Sequence, residues 1–170
     1  MLKTNQKAST TTLLLCFLLL FNSSVSSQVM KFDAPLSQLY QNGLKSLQQG
    51  DSLIAYQTIQ SAHFFEPNDV DIAFHYHLLS VALEKEYAIK NAENWLATSK
   101  NKIYHSRLNF ELAKYYFRKQ NVDPAILAYQ KISIDDLENN ELALMQFQLG
   151  YLYFKKGDWE QSTNYLYSIR

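Results

Sequence analysis

An all-α fold of antiparallel helix hairpins is what this sequence predicts, and three observations predict it. Its 170 residues hold 4 glycines and 3 prolines among many Leu, Tyr, Ala and Gln, a composition rich in helix formers and poor in breakers. Strict apolar–polar alternation is absent and turn dipeptides are scarce, so a β reading fails. Small residues recur at a nearly constant interval: Gly43, Ser80, Ala113 and Gly150 lie 37, 33 and 37 residues apart. A period in the mid-thirties signals stacked helix pairs.

Helices are expected over 35–49, 52–65, 70–86, 88–100, 104–119, 124–132, 137–156 and 159–169. Asp51 follows the Gly50 turn and opens the second helix. Asp123 before Pro124 is a start signal for the sixth, because a carboxylate caps free amides and proline suits the first helical turn. The acidic group Asp135, Asp136, Glu138 and Glu141 favours the N-terminus of the seventh helix. Asp158 before Trp159 does the same for the eighth. The connections are short, one to four residues by these bounds, as antiparallel hairpins require.

The repeat has a physical reason. Twelve residues after each small residue stands another, at Ala55, Ala92, Ala125 and Ser162, and four residues later a large apolar one, at Ile59, Leu96, Tyr129 and Leu166. Two helices cross closely only where neither carries bulk at the contact. Gly43, Ser80, Ala113 and Gly150 are therefore expected to meet Ala55, Ala92, Ala125 and Ser162, with the large residues filling the flanks.

This pattern resembles the tetratricopeptide repeat family. The last repeat matches it most fully, with Leu149-Gly150, Tyr153, Gly157 at the turn, Ser162 and Leu166. The third has Leu112-Ala113, Tyr116, Ala125 and Tyr129; the second has Leu79-Ser80, Leu83, Ala92 and Leu96; the first has Gly43, Gly50, Ala55, Ile59, Ala62 and Pro67. Asn42 and Ser46 replace the usual Leu and Tyr, Ile132 and Ile169 replace small residues, and no tryptophan begins a repeat. The resemblance covers 36–170. It implies a right-handed superhelical array of about four repeats, near 36–70, 73–103, 106–137 and 143–170, with the first helices lining a concave face. It further implies that Arg107, Phe110, Lys114, Phe117 and Arg118 of the third repeat point to that face, followed by Leu144, Phe147, Tyr151, Phe154 and Lys155 of the fourth. Phe110, Lys114 and Phe117 share one side of a helix at i, i+4, i+7, and Phe147, Tyr151 and Phe154 repeat that spacing. Two aromatic rows with basic edges suit a protein or peptide segment; the competing reading is that the rings pack between helices. The Lys/Asn/Arg clamp of chaperone-binding members is absent, since Tyr40, Leu44, His77, Phe110 and Lys114 occupy those positions.

The N-terminus reads as an export signal. Lys3 and Lys7 precede the unbroken apolar run 13–21, and small polar residues follow at 22–27. The run is too short to cross a bilayer core of ~30 Å. Cleavage is expected after Ser27, giving a signal peptide at 1–27, a short linker at 28–34 and a helical domain from 35 onward. Cys16 lacks the small residue that precedes a lipid-attachment cysteine, and the Asn22-Ser23-Ser24 triplet lies before the cut. The mature chain would have no cysteine and a net charge of −2, too weak to steer nucleic acid or an anionic membrane. A bacterial periplasm or cell envelope fits.

Chemistry is hard to find. His75 and His77 diverge around their helix and cannot share an ion, and His63 and His105 have no ligand at helical spacing. No serine lies in a nucleophile elbow, and no Gly-rich phosphate loop exists. No metal, cofactor or catalytic activity is expected. The reading is a non-catalytic scaffold that binds a protein partner. The alternative is the sensory or regulatory N-terminal module of a larger envelope protein, such as a receptor kinase or protease. An array without a polar closing helix favours continuation beyond 170.

Overall fold

Why the chain turns where it does is written in four backbone motifs. The structure, a computed structural model, describes residues 36–169. The helices are α1 (Leu36–Gln48), α2 (Ser52–Phe65), α3 (Val70–Ala82), α4 (Ala88–Thr98), α5 (Ile103–Arg118), α6 (Val122–Tyr129), α7 (Asn139–Lys156) and α8 (Trp159–Tyr167). A 3-10 turn, Ile134–Asp136, precedes α7, and among the described residues there is no strand. The expected signal peptide at 1–27 and linker at 28–34 lie outside the described residues.

Helices α1, α3, α5 and α7 all stop in the same way. One or two residues past each helix the chain takes a left-handed conformation: at Gly50 (φ 85°), Glu84 (φ 51°), Gln120 (φ 60°) and Gly157 (φ 82°). In each, its amide bonds the carbonyl three residues back, and the next amide bonds the one five back. The longer bonds are Asp51 to Ser46, Lys85 to Ser80, Asn121 to Tyr116 and Asp158 to Tyr153. This double bond satisfies carbonyls that a helix end leaves bare and reverses the chain. In the second hairpin the motif comes early, so α3 ends at Ala82 rather than at the expected 86.

The starts are less uniform. Asp69 caps α3, accepting from the amides of Asp71 and Ile72, and Asp158 caps α8, accepting from Gln161. Asp51 precedes α2 but makes no side-chain cap bond. Helix α6 begins at Val122, so Asp123 lies in its first turn instead of before it. Glu138 and Glu141 form a reciprocal capping box at the start of α7, which begins at Asn139.

Each consecutive pair packs as a hairpin: α1 on α2, α3 on α4, α5 on α6, α7 on α8. Neighbouring hairpins join through α2 against α3, α3 against α5 and α6 against α7. The closest approach inside a hairpin differs from expectation. A Cβ on Gly43 would sit 2.5 Å from Ile59 Cγ1, and one on Gly150 2.7 Å from Leu166 Cγ and 3.3 Å from the Ser162 carbonyl oxygen. In the first and fourth hairpins the glycine thus receives the large side chain sixteen positions on. Ala55, Ala92, Ala125 and Ser162 are buried alongside; their small size lets the helices close so that this residue can seat.

The core follows the hairpins. Phe74, Val81, Leu108, Leu112, Tyr129, Leu149 and Leu152 belong to one cluster that runs through the second, third and fourth. Smaller clusters around Ile59 and Leu79, and around Leu39 and Ile72, tie the first hairpin to the second. Polar links repeat at the same interval. Tyr40 reaches His75, Tyr104 donates to Asp71, Arg107 pairs with Glu141, Arg118 with Glu84 and Lys156 with Asp123, at sequence separations of 33–35. These five separations are what the packing of neighbouring hairpins of similar length produces.

Candidate protein-interaction face

The side chains that sequence reasoning placed on one face fall into register when counted from the small residue of each first helix. Three positions before it stand Tyr40, His77, Phe110 and Phe147. Tyr40 is half-buried, His77 and Phe110 are buried, and Phe147 is 51 % exposed. Four positions after it, Leu47 and Phe117 are partly buried while Phe154 is 49 % exposed. Six before it, Phe74 is buried and Leu144 is exposed. The rings at these positions in the inner hairpins, Phe74, His77, Phe110 and Phe117, are thus buried or partly buried and those of α7 are open, while Glu84 holds the last position of the second hairpin at the surface.

The covering is physical. The Phe117 ring meets the Tyr151 ring of the next first helix edge to face at 5.6 Å. Phe110 packs against Tyr129 at 6.1 Å within the core and carries the Lys114 ammonium 5.1 Å above its ring. Among the described residues, no further first helix lies against Phe154 as α7 lies against Phe117. Its row of Leu144, Phe147, Tyr151 and Phe154 stays at the surface, at spacings that keep one helix face. Trp159 of α8, 63 % exposed, extends the row by meeting Phe154 at 5.0 Å. Sequence reasoning missed Trp159; its place directly after the Gly157-Asp158 turn was the available signal.

Two of the expected features change. Phe110 is a core residue, because its side of α5 faces Tyr129 of its own hairpin partner. The basic edge of the third repeat is also tied down. Arg107 pairs with Glu141, Lys114 with Glu111 at 2.5 Å, and Arg118 with Glu84 at 3.1 Å. Lys119 joins Glu84 as well, and its hydrogen bond with that carboxylate holds Glu84 below the usual carboxylate range. Lys155 lies over Tyr151 at 5.9 Å. The expected two-row trough is thus a single aromatic row on α7 with Lys155 beside it, flanked by Phe117.

Further in, His63 stacks on Tyr76 and meets His77 edge to face between the first and second hairpins. Burial first, then the neighbouring His63, pushes the His77 imidazole down from 6.5 to about 4. Burial likewise lowers His63. Neither Nδ1 has a hydrogen-bond partner, so both rings are packing groups held neutral.

Among the described residues no group of three or more His, Cys, Asp or Glu is placed to hold a metal ion, and no helix is long and apolar enough to cross a membrane. The chain matches no model of a known protein family. No curated protein matches it either.

Proposed function

We propose that this chain is a non-catalytic protein–protein interaction scaffold, a tetratricopeptide-like array exported to the periplasm or cell envelope. Its partner segment docks on the first-helix face at the fourth hairpin. One observation carries the reading: Phe147 and Phe154 are half exposed at register positions whose counterparts in the inner hairpins, Phe110 and Phe117, are covered by other helices. A row of exposed rings along one helix face is a surface for a partner, and aromatic side chains are the usual anchors of such contacts. The charged start and apolar run at the N-terminus support export.

The test uses the mature chain as bait against an envelope extract, comparing wild type with the double variant Phe147→Ala, Phe154→Ala. Partner recovery should fall at least about tenfold, the loss expected when hot-spot aromatics are truncated, while helix content and melting hold. Unchanged recovery with a lowered melting temperature would make these rings structural and end the reading.

A further inference from the structure

The three seams between hairpins are not built alike. Between the second and third, Arg118 and Lys119 pair with Glu84, Tyr104 donates to Asp71 and Tyr116 donates to Glu93. Between the third and fourth, Arg107 pairs with Glu141, Lys156 pairs with Asp123 and Ser106 donates to Asp136. Among the described residues, no ion pair joins the first hairpin to the second. That seam has the contact of Tyr40 with His75, and otherwise rings and aliphatic side chains.

Histidine stands where the other seams carry charge. The His63 ring of α2 stacks on Tyr76 of α3 at 4.4 Å and meets His77 edge to face at 5.9 Å. Trp95 of α4 lies 5.8 Å from His77, which is 7 % exposed. Nδ1 of His63 and Nδ1 of His77 are both buried without a hydrogen-bond partner. A neutral imidazole bears this at modest cost. An imidazolium, with a donor on each nitrogen and a net charge, bears it badly.

The surroundings offer a proton no counter-charge. His77 meets His63 from α2, Tyr76 from its own helix and Trp95 from α4, and His105 of α5 meets Trp95 in turn. Tyr56 of α2 stacks on the same Tyr76, with the Lys85 ammonium 5.0 Å above the Tyr56 ring. No carboxylate is among the groups that shift either imidazole: burial lowers His63, and burial followed by His63 holds His77 near 4. Two protonated rings there would repel each other. Opening the seam returns both to water, so proton uptake and separation are one linked event. The closed seam is favoured above pH 6.5 and loses ground as pH falls toward 4.

We propose that the joint between the first and second hairpins is an acid-sensitive latch: proton uptake by His63 and His77 releases α1 and α2 and bares Ile72 and Leu79 of α3, while the second, third and fourth hairpins stay stacked. The release is local because each hairpin of a stacked array leans only on its neighbours, and a terminal one can open by itself. With His77 passing from about 4 when closed to 6.5 when open, the open-to-closed ratio rises about thirtyfold between pH 7.5 and pH 5. None of the α7 row takes part, so the latch and the partner surface stand or fall separately.

Native-state hydrogen exchange of the full chain tests this. It is run at pH 7.5 and pH 5 over a series of low guanidinium concentrations, with each rate divided by that of an unstructured amide at the same pH. At both pH values the amides of α1 and α2 should open as one group, more readily and with a weaker guanidinium dependence than those of α5 and α7. Their opening should rise about thirtyfold from pH 7.5 to pH 5. His77→Gln should cut that rise at least about fivefold, and His63→Gln, at a less buried site, at least about twofold. His105→Gln, in the third hairpin, should leave the rise as in wild type. The proposal fails if α1 and α2 open only together with α5 and α7, if their opening is the same at both pH values, if neither His77→Gln nor His63→Gln lessens the rise, or if His105→Gln abolishes it.

Discussion

Gly50, Glu84, Gln120 and Gly157 do the same job with different side chains. All four hold a left-handed backbone at the end of a first helix. Glycine does so without a steric cost, while an L-residue loses roughly 1–2 kcal/mol there. Gln120→Gly should therefore raise stability by about 0.5–1 kcal/mol, after subtracting the freedom glycine gains on unfolding, as read by urea denaturation. Two of these turns were legible as glycines. The other two were hidden, because the bonds that impose the conformation come from the backbone and not from residue type. His77 makes a second residue-scale prediction. Its folded value lies near 4, below the ordinary 6.5, so the folded state binds its proton less readily than the unfolded one. Stability is then full above pH 6.5 and falls as pH drops toward 4, by on the order of 2–3 kcal/mol with His63 contributing in the same direction. Denaturation at pH 7, 5 and 4 should show this slope, and His77→Gln should flatten it.

At the scale of the helix, α5 and α7 carry the same pattern in opposite circumstances. Phe110 and Phe147 occupy one register position, the first 3 % exposed and the second 51 %. Phe110→Ala should cost ~3–5 kcal/mol, as large core truncations do. Phe147→Ala should cost less than about 1 kcal/mol, as a surface change does. Thermal melts of the two variants, side by side, check this directly; equal losses would mean that the α7 row is packed after all. The row itself was legible from i, i+4, i+7 spacing. Which row would be covered was not, because period alone does not say what lies on the other side. The ends of helices were also read imperfectly. Asp123 looked like a cap and lies inside α6, since Asn121 already follows the Gln120 turn that sets the start. The partner of Gly43 was misjudged for a related reason. Small residues twelve apart let the helices approach, but the side chain that fills the approach belongs to Ile59.

Across the described domain, one interval recurs. Small residues recur every 33–37 positions, and side chains bond across 33–35. The first was plain in the sequence; the second needed three dimensions, since nothing in the chain marks Arg107 for Glu141 or Tyr104 for Asp71. The account therefore stands on four hairpins, the first and last closed around Gly43 and Gly150, each packed on its neighbour. A methyl- and aromatic-resolved NOESY spectrum of the chain tests this most directly. It should show Gly43 Hα close to the Ile59 methyls, Gly150 Hα close to the Leu166 methyls, and the Phe117 ring close to that of Tyr151. If the two glycine contacts or the ring contact are missing from a folded sample, the hairpins do not close or stack as described.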